Sequence, residues 1–569
     1  MSTNQTLISL FVQRINEDHD RLALSVKCGG QYESLTWGQL GDRVCQLAVA
    51  LIRSGVEPGD RVVQVSENRL EWIVCDLAIQ LARAVHVPLH ATLSGRQIVE
   101  QLVDSGATKV FLSDFSQLTK LTERIAELPA ALDYWVFDSI DDCPVGMEVA
   151  SLTQLEGRGD LSEATRVLED AQQQVTAETL TTMIYTSGTT GEPKGVMLTH
   201  DNLYSNTQAT IEAIAMVRED RRLTFLPLSH VFARTCDLYT WLMIGYQLSL
   251  AESRETVLSD CQTVKPTALN GVPYFFDKVR RYLVSQQAEV RPGALRDLLG
   301  GEMRICCSGG AALPEHVFEF YWQQQIPLLE GYGLTETSPV ITVSTPEHYR
   351  RKSAGRAISG VEIRIENEEI LTRGPHVMQG YYQKPEATQE VIRDGWFYTG
   401  DLGYLDEDGF LFITGRRKEL LVLASGKNVA PVYLESLLLE EPLVGQVLVV
   451  GDHRSFLSAL LVPDFELLKK TIQEQEWMEE CGLAQTWQAV LTEPQVIKLF
   501  SNVIACQLAE VSHHEQVRRF TLLSQPFSID RGEVTAKLSL RREVIGEHYT
   551  AQIEAMYEAD WCGPVVTVE

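Results

Sequence analysis

Tyr185-Thr186-Ser187-Gly188-Thr189-Thr190-Gly191-Glu192-Pro193-Lys194-Gly195 strings hydroxyl side chains along a glycine-rich frame and carries one lysine near its end. Upstream, Met183-Ile184-Tyr185 reads as the end of a buried strand. Downstream, Val196-Met197-Leu198-Thr199 reads as another, and Thr199 to Asn202 as the cap of a helix running to about Ile214. A glycine-rich turn leaving a strand bares backbone N–H groups, which with serine and threonine hydroxyls form a concave anion site. Glycine lets the backbone approach the anion and visit positive φ. Lys194 adds a point charge suited to a phosphate. The commonest phosphate loop, G-x-x-x-x-G-K-[ST], is excluded because Gly195 follows the lysine. The plain alternative is a solvated surface loop, but such a linker has no use for this order of residues between two apolar strands.

Outward from the loop, the N-terminal side alternates strand and helix signals. Thr36-Trp37-Gly38-Gln39 is a capping box, followed by Leu40, Val44, Leu47, Ala48 and Leu51 at helical spacing, and Gly55 stops the run. Arg61–Val65 reads as a strand. Ser66 is expected to cap a helix with Leu70, Ile73, Val74, Leu77 and Leu81 on one face. Val85–Leu89 is a strand, Ser94 opens a helix, and 108–112 is the next strand. The pattern predicts an α/β fold with a doubly wound, mostly parallel sheet. The first 30 or so residues are too weakly patterned to assign, and 138–174 reads as an acidic excursion with a surface helix. Further strands are expected at 223–228, 267–272 and 304–307. Past Gly400 the character changes: Asp406-Glu407-Asp408-Gly409 is a hairpin turn, and Gly415-Arg416-Arg417-Lys418-Glu419 a charged connector. Strands follow at 447–450 and 457–462, then helices from about Glu466 and Glu493. The chain therefore divides into a large N-terminal domain, 1–415, and a small C-terminal α+β domain, 416–569, of ordinary domain size.

Composition bounds the function. Of 569 residues, 49 Lys and Arg against 77 Asp and Glu leave a net charge of −28, which argues against a nucleic-acid partner. The 11 cysteines include no C-x-x-C pair, so neither a disulfide framework nor a zinc site is indicated. The N-terminus lacks a secretory signal, and the most apolar run, about 238–251, is too short to span a bilayer. These features point to a reducing cytoplasm, with peripheral contact at the inner membrane face left open. Oligomeric state is not legible.

Further strings follow the loop in order: Leu226-Pro227-Leu228-Ser229-His230-Val231-Phe232; Ser308-Gly309-Gly310-Ala311-Ala312-Leu313-Pro314; Leu329-Glu330-Gly331-Tyr332-Gly333-Leu334-Thr335-Glu336-Thr337; Trp396-Phe397-Tyr398-Thr399-Gly400-Asp401; and Ser425-Gly426-Lys427-Asn428. Together, over about residues 35–542, they resemble the motifs of adenylate-forming enzymes: acyl- and aryl-CoA synthetases, luciferases and adenylation domains. Within that superfamily they look most like long-chain fatty acyl-CoA synthetases. That chemistry turns a carboxylate, a poor electrophile, into an acyl-phosphate anhydride; it brings anions together and so needs cations and oriented dipoles. The resemblance implies ATP, Mg²⁺ and CoA, with a fatty acid as the other substrate. Thr186, Ser187, Gly188, Thr189, Thr190, Gly191 and Lys194 would hold phosphates, and Thr189 and Glu336 the Mg²⁺. Gly309, Gly310 and Ala311 would form one wall of the adenine pocket. Tyr332 would stack on the base, within the Gly331, Gly333 and Thr335 turn. Asp401 and Arg416 would take the ribose, and His230 would face the acyl carboxylate. Lys418 would be the hinge on which a mobile C-terminal domain turns, and Gly426 and Lys427 would border the thiol's channel.

Two places depart from the family. Ala233-Arg234 stands where long-chain relatives more often have Glu-Arg. The C-terminal string is Gly532-Glu533-Val534-Thr535-Ala536-Lys537-Leu538-Ser539, which puts Ser539 in the place of the family's catalytic lysine. In an extended segment positions two apart share a face, so Lys537 is the expected substitute. The predicted activity is formation of acyl-AMP and pyrophosphate, then transfer to CoA. The alternatives are an acyl-carrier-protein acceptor, or a catalytically silent nucleotide- or lipid-binding protein.

Overall fold

Short apolar strands between amphipathic helices can bury both faces only by stacking helices on each side of a sheet, and two large sheets result. The structure is a computed structural model that describes residues 5–129, 132–138, 149–187, 192–286, 290–475, 477, 486–528, 531–534, 540–559 and 561–566. The first sheet has eight strands. Arg61–Val65 lies parallel between Val85–Leu89 and Lys109–Leu112. Its valines are buried, as expected for strands covered on both faces. Leu180–Ser187 continues the sheet in parallel and then turns back antiparallel into Pro193–Thr199. Gly380–Tyr381 forms the edge beyond. The second sheet has nine strands, with a parallel centre running from Leu328–Gly333 through Ile305–Ser308, Ala268–Gly271, Arg221–Thr224 and Gln247–Leu250 to Leu22–Cys28.

The helix Trp37–Arg53 begins on the expected Thr36–Gln39 capping box, and His200–Ile214 on a box between Thr199 and Asn202. Trp37 stacks on Trp241 at 4.3 Å inside the largest core cluster. The apolar run at 238–251 is interior, ending in the strand Gln247–Leu250. Among the described residues no helix is long and apolar enough to cross a membrane.

Several sequence expectations shift. Ser66 does not cap the next helix, which starts at Leu70 behind Arg69; the Ser66 hydroxyl instead donates to the Glu67 carbonyl. The strand expected at 223–228 is Arg221–Thr224, because Pro227 withholds an N–H from any ladder. The unassigned N-terminus holds a helix, Leu7–Glu17, capped by Thr6, and two strands of the second sheet. A third, antiparallel sheet of five strands adds Glu362–Glu366, Glu369–Arg373 and Ile392–Arg393, which the sequence does not announce, to the hairpin of Trp396–Leu405 and Leu411–Arg416. Asp406 to Gly409 turn its last hairpin, as the sequence indicates. Beyond Arg416, a three-stranded sheet of Val444–Val450, Leu457–Pro463 and Val517–Leu522 packs with helices around its own core.

Candidate active site

A cleft of about 2670 Å³ opens at the C-terminal ends of the parallel strands, where open α/β sheets place their ligands. It gathers Thr186, Lys194, His230, Gly309, Gly310, Ala311, Gly331, Tyr332, Gly333, Thr335, Glu336, Asp401, Arg416 and Lys418 on one surface. Thr186 and Lys194 face each other across the hairpin, where Tyr185 opposes Gly195. Gly188, Thr189, Thr190 and Gly191 lie outside the described residues, and so does the side chain of Ser187. Lys537 and Ser539 also lie outside them, although Arg531, Gly532, Val534, Leu540 and Arg541 on either side line the cleft. Gly426 and Lys427 are not brought to it: they are exposed on a turn between Leu421–Val422 and Asn428–Val429.

The glycines are there for space. A Cβ on Gly333 would stand 1.7 Å from the Pro339 carbonyl oxygen, and one on Gly309 would stand 3.2 Å from the Phe232 ring. Gly310 has φ +85°, so the flat wall after Ile305–Ser308 needs a residue without a side chain.

Asp401 is 2% exposed. The Tyr332 hydroxyl donates to its Oδ2 at 2.7 Å, and Arg416 Nε forms an ion pair with Oδ1 at 2.7 Å. Burial pushes the Asp401 carboxyl above its ordinary value, and Arg416 and Tyr332 only partly offset this. Asp401 and Arg416 are directly opposed across the hairpin of Trp396–Leu405 and Leu411–Arg416. Next to them Arg417 pairs with the buried Glu369 at 2.9 Å, whose other oxygen accepts from Gly400 N. Glu336 sits in the short turn Thr335–Thr337 and accepts from the Tyr381 hydroxyl at 2.9 Å. His230 starts the turn Val231–Ala233, its Nδ1 accepting from Phe232 N, and its ring lies 6.4 Å from that of His90.

Beneath the site is a charged cluster with no solvent exposure. Arg234 pairs with Asp76 and donates to Thr182 Oγ1 at 2.6 Å, while His86 Nδ1 lies 2.8 Å from Asp76 Oδ1. Burial works against the Asp76 charge, but Arg234 and His86 hold its carboxyl down to about 2. Burial and the nearby guanidinium push His86 down to about 4, so it is neutral. The cluster ties the segment after His230 to the strand that delivers Thr186.

Sequence reasoning missed two contributors. Tyr381 lies 45 residues from Glu336, and no spacing rule joins them. Glu330, within the Leu329–Thr337 string, accepts from Leu313 N at 3.2 Å, and burial raises its carboxyl to about 8.

Comparison with known proteins agrees with this architecture. The chain matches the AMP-binding enzyme family over residues 11–382 and the AMP-binding enzyme C-terminal domain over residues 418–560. It is 32% identical to the long-chain-fatty-acid–CoA ligase FadD15 of Mycobacterium bovis, over 98% of each chain. It is 28% identical to the long-chain-fatty-acid–CoA ligase heimdall of Drosophila melanogaster, over 97% of this chain and 95% of that one. The A-PCP didomain of carboxylic acid reductase from Segniliparus rugosus, solved with AMP, shares the fold: TM-score 0.79 at 21% identity, covering 98% of this chain and 82% of that one. The chain belongs to the AMP-binding enzyme family.

Proposed function

We propose that the protein activates a long-chain fatty acid with ATP and passes the acyl group to CoA. The observation that supports this most is the single cleft shared by Thr186, Lys194, Glu336, Asp401 and His230. The names of relatives aligned along nearly the whole chain support the substrate class. In this reading residues 1–415 bind ATP and the acyl chain, and residues 416–569 form the mobile part. Asp401 and Arg416 take the ribose, and Tyr332, its hydroxyl held by Asp401, lies against adenine. Thr186 and Lys194 lead the loop 186–194 onto the phosphates. His230 orients the carboxylate, one of whose oxygens attacks the α-phosphorus as the bridge to the β-phosphate breaks and pyrophosphate leaves. The CoA sulfur then attacks the acyl carbon, the C–O bond to AMP breaks, and the thiol proton is lost to solvent. Glu336 is an oxygen donor steadied by a neutral hydroxyl, the ligand type Mg²⁺ takes, and Thr189 would be a second. Mg²⁺ bound there supplies charge neutralisation at the phosphates. Lys537 brings a cation to the first step, Lys418 serves as the pivot, and Gly426 and Lys427 approach the thiol when the small part turns.

The test is pyrophosphate release over a panel of carboxylic acids, followed by acceptor competition between CoA and an acyl carrier protein. Release with no chain length would overturn the reading. Ser539 favours one second reading, a binding protein without turnover. ATP binding without release, not rescued by Ser539→Lys with Lys537→Thr, would select it.

A further inference from the structure

Tyr381 belongs to none of the quoted motifs, yet it joins two of them. Its hydroxyl donates to Glu336 Oε1 at 2.9 Å, and its ring seats the Lys194 ammonium 5.0 Å from the centroid. The residue is 7% exposed. Its backbone is equally committed. Tyr381 stands opposite Val196, the next residue donates its N–H to Gly195 O at 2.8 Å, and Met378 N donates to Glu336 O at 2.9 Å. Gly380 has φ +146°, and a Cβ there would meet Thr388 Cγ2 at 2.8 Å, so the bend that presents Tyr381 depends on glycine.

A carboxylate and an ammonium this close to one phenol would by default pair with each other, and neither would then be available to a ligand. Here they do not: among the described residues no ion pair joins Lys194 to Glu336, and the hydrogen bond that the Glu336 carboxylate accepts from among them is the one from Tyr381 to Oε1. The ring lies under the ammonium, a cation–π seat, while its hydroxyl fixes the carboxylate. A phenol is a neutral donor, so it orients the carboxylate without cancelling its charge. The geometry points to Tyr381 as a positioning residue that aims Glu336 at a divalent cation and keeps Lys194 from quenching it. This rests on the proposed reading of Glu336 as the Mg²⁺ ligand. Hydrogen-bond partners of metal-ligating carboxylates govern metal affinity by about ten-fold or more.

The experiment is calorimetric titration of the full chain with ATP, with and without Mg²⁺, and with AMP alone. The proteins are wild type, Tyr381→Phe, Glu336→Gln and the double variant. Phenylalanine keeps the ring, and so the lysine's seat, and removes only the donor. Wild type should bind ATP more tightly when Mg²⁺ is added. Tyr381→Phe should lose about ten-fold of that gain while binding AMP as wild type does, and in the Glu336→Gln background it should change nothing further, the coupling expected of residues acting as a unit. A full Mg²⁺ gain in Tyr381→Phe alongside its loss in Glu336→Gln would overturn the inference. So would an additive loss in the double variant, or a matching loss of AMP affinity. Wild type with no Mg²⁺ gain, indistinguishable from Glu336→Gln, would remove the reading of Glu336 itself, and the role of Tyr381 with it.

Discussion

Replacing Asp401, 2% exposed, by asparagine tests the proposed nucleotide site at a buried charge. The side chain keeps its shape, but one acceptor oxygen becomes a donor, facing either the Tyr332 hydroxyl or Arg416 Nε, each 2.7 Å from a carboxylate oxygen. A hydrogen bond to an ionised acceptor is worth about 1.5–3 kcal/mol, and a ribose diol would make two. Asparagine retains one acceptor, so the loss should lie at about 2–3 kcal/mol, or about 30- to 150-fold in Kd for ATP and AMP alike. Fold stability should change less, because Arg416 is half exposed and keeps water as a partner. Calorimetry with ATP and with 2′,3′-dideoxy-ATP separates the ribose contacts from everything else. Wild type should bind the dideoxy nucleotide more weakly by at least that factor, whereas Asp401→Asn, left with one acceptor, should distinguish the two by much less. Burial raises the Asp401 carboxyl, so wild-type affinity should fall on acidification at a higher pH than an ordinary carboxylate would give, and the variant should lack that limb. Equal binding of both nucleotides by wild type would refute the assignment of Asp401 to the ribose.

The remaining predictions are shorter. Glu330 is neutral at pH 7, because burial raises its carboxyl from 4.5 to about 8; its stabilising proton is fully bound below pH 4.5, and the folded state loses the advantage progressively as pH rises to about 8. Glu330→Gln should therefore flatten the thermal-stability profile, gaining on wild type by about 2 kcal/mol between pH 6 and 8; parallel profiles would refute this. Lys537→Ala should cut acyl-AMP formation about a hundred-fold or more while sparing thioester formation from supplied acyl-AMP, and an unimpaired first step would remove Lys537 from that role. Gly333→Ala should destabilise by about 3 kcal/mol or more in urea unfolding, since its Cβ would stand 1.7 Å from the Pro339 carbonyl oxygen; a change below about 1 kcal/mol would contradict the packing.

Local signals were legible where the chain states its own chemistry. The Thr36–Gln39 and Thr199–Asn202 boxes cap the helices they announce, and the strands either side of 188–191 pair as a hairpin. Ser66 misled because a serine near a helix start suits several turns, and only the fold decides which backbone group its hydroxyl meets. The N-terminal helix escaped because its apolar stripe, Leu7, Ile8, Leu10 and Phe11, spans barely three turns and derives its meaning from packing in the distant core. The rest of the five-stranded sheet escaped because strands as short as Ile392–Arg393 carry no periodicity to read. Tyr381 and the Arg234–Asp76–His86 cluster are tertiary facts: Tyr381 stands 45 positions from Glu336, and Arg234 158 from Asp76.

The opposition of Asp401 and Arg416 across one hairpin has a kinetic corollary. On the proposed reading, in which residues 416–569 move, this rung grips the sugar at the root of the moving part, so an occupied pocket would stiffen that root and an empty one would slacken it. Release of the spent nucleotide and freedom of that part would then be one event, and tethered fluorophores on the two parts should report broadened distances as AMP departs.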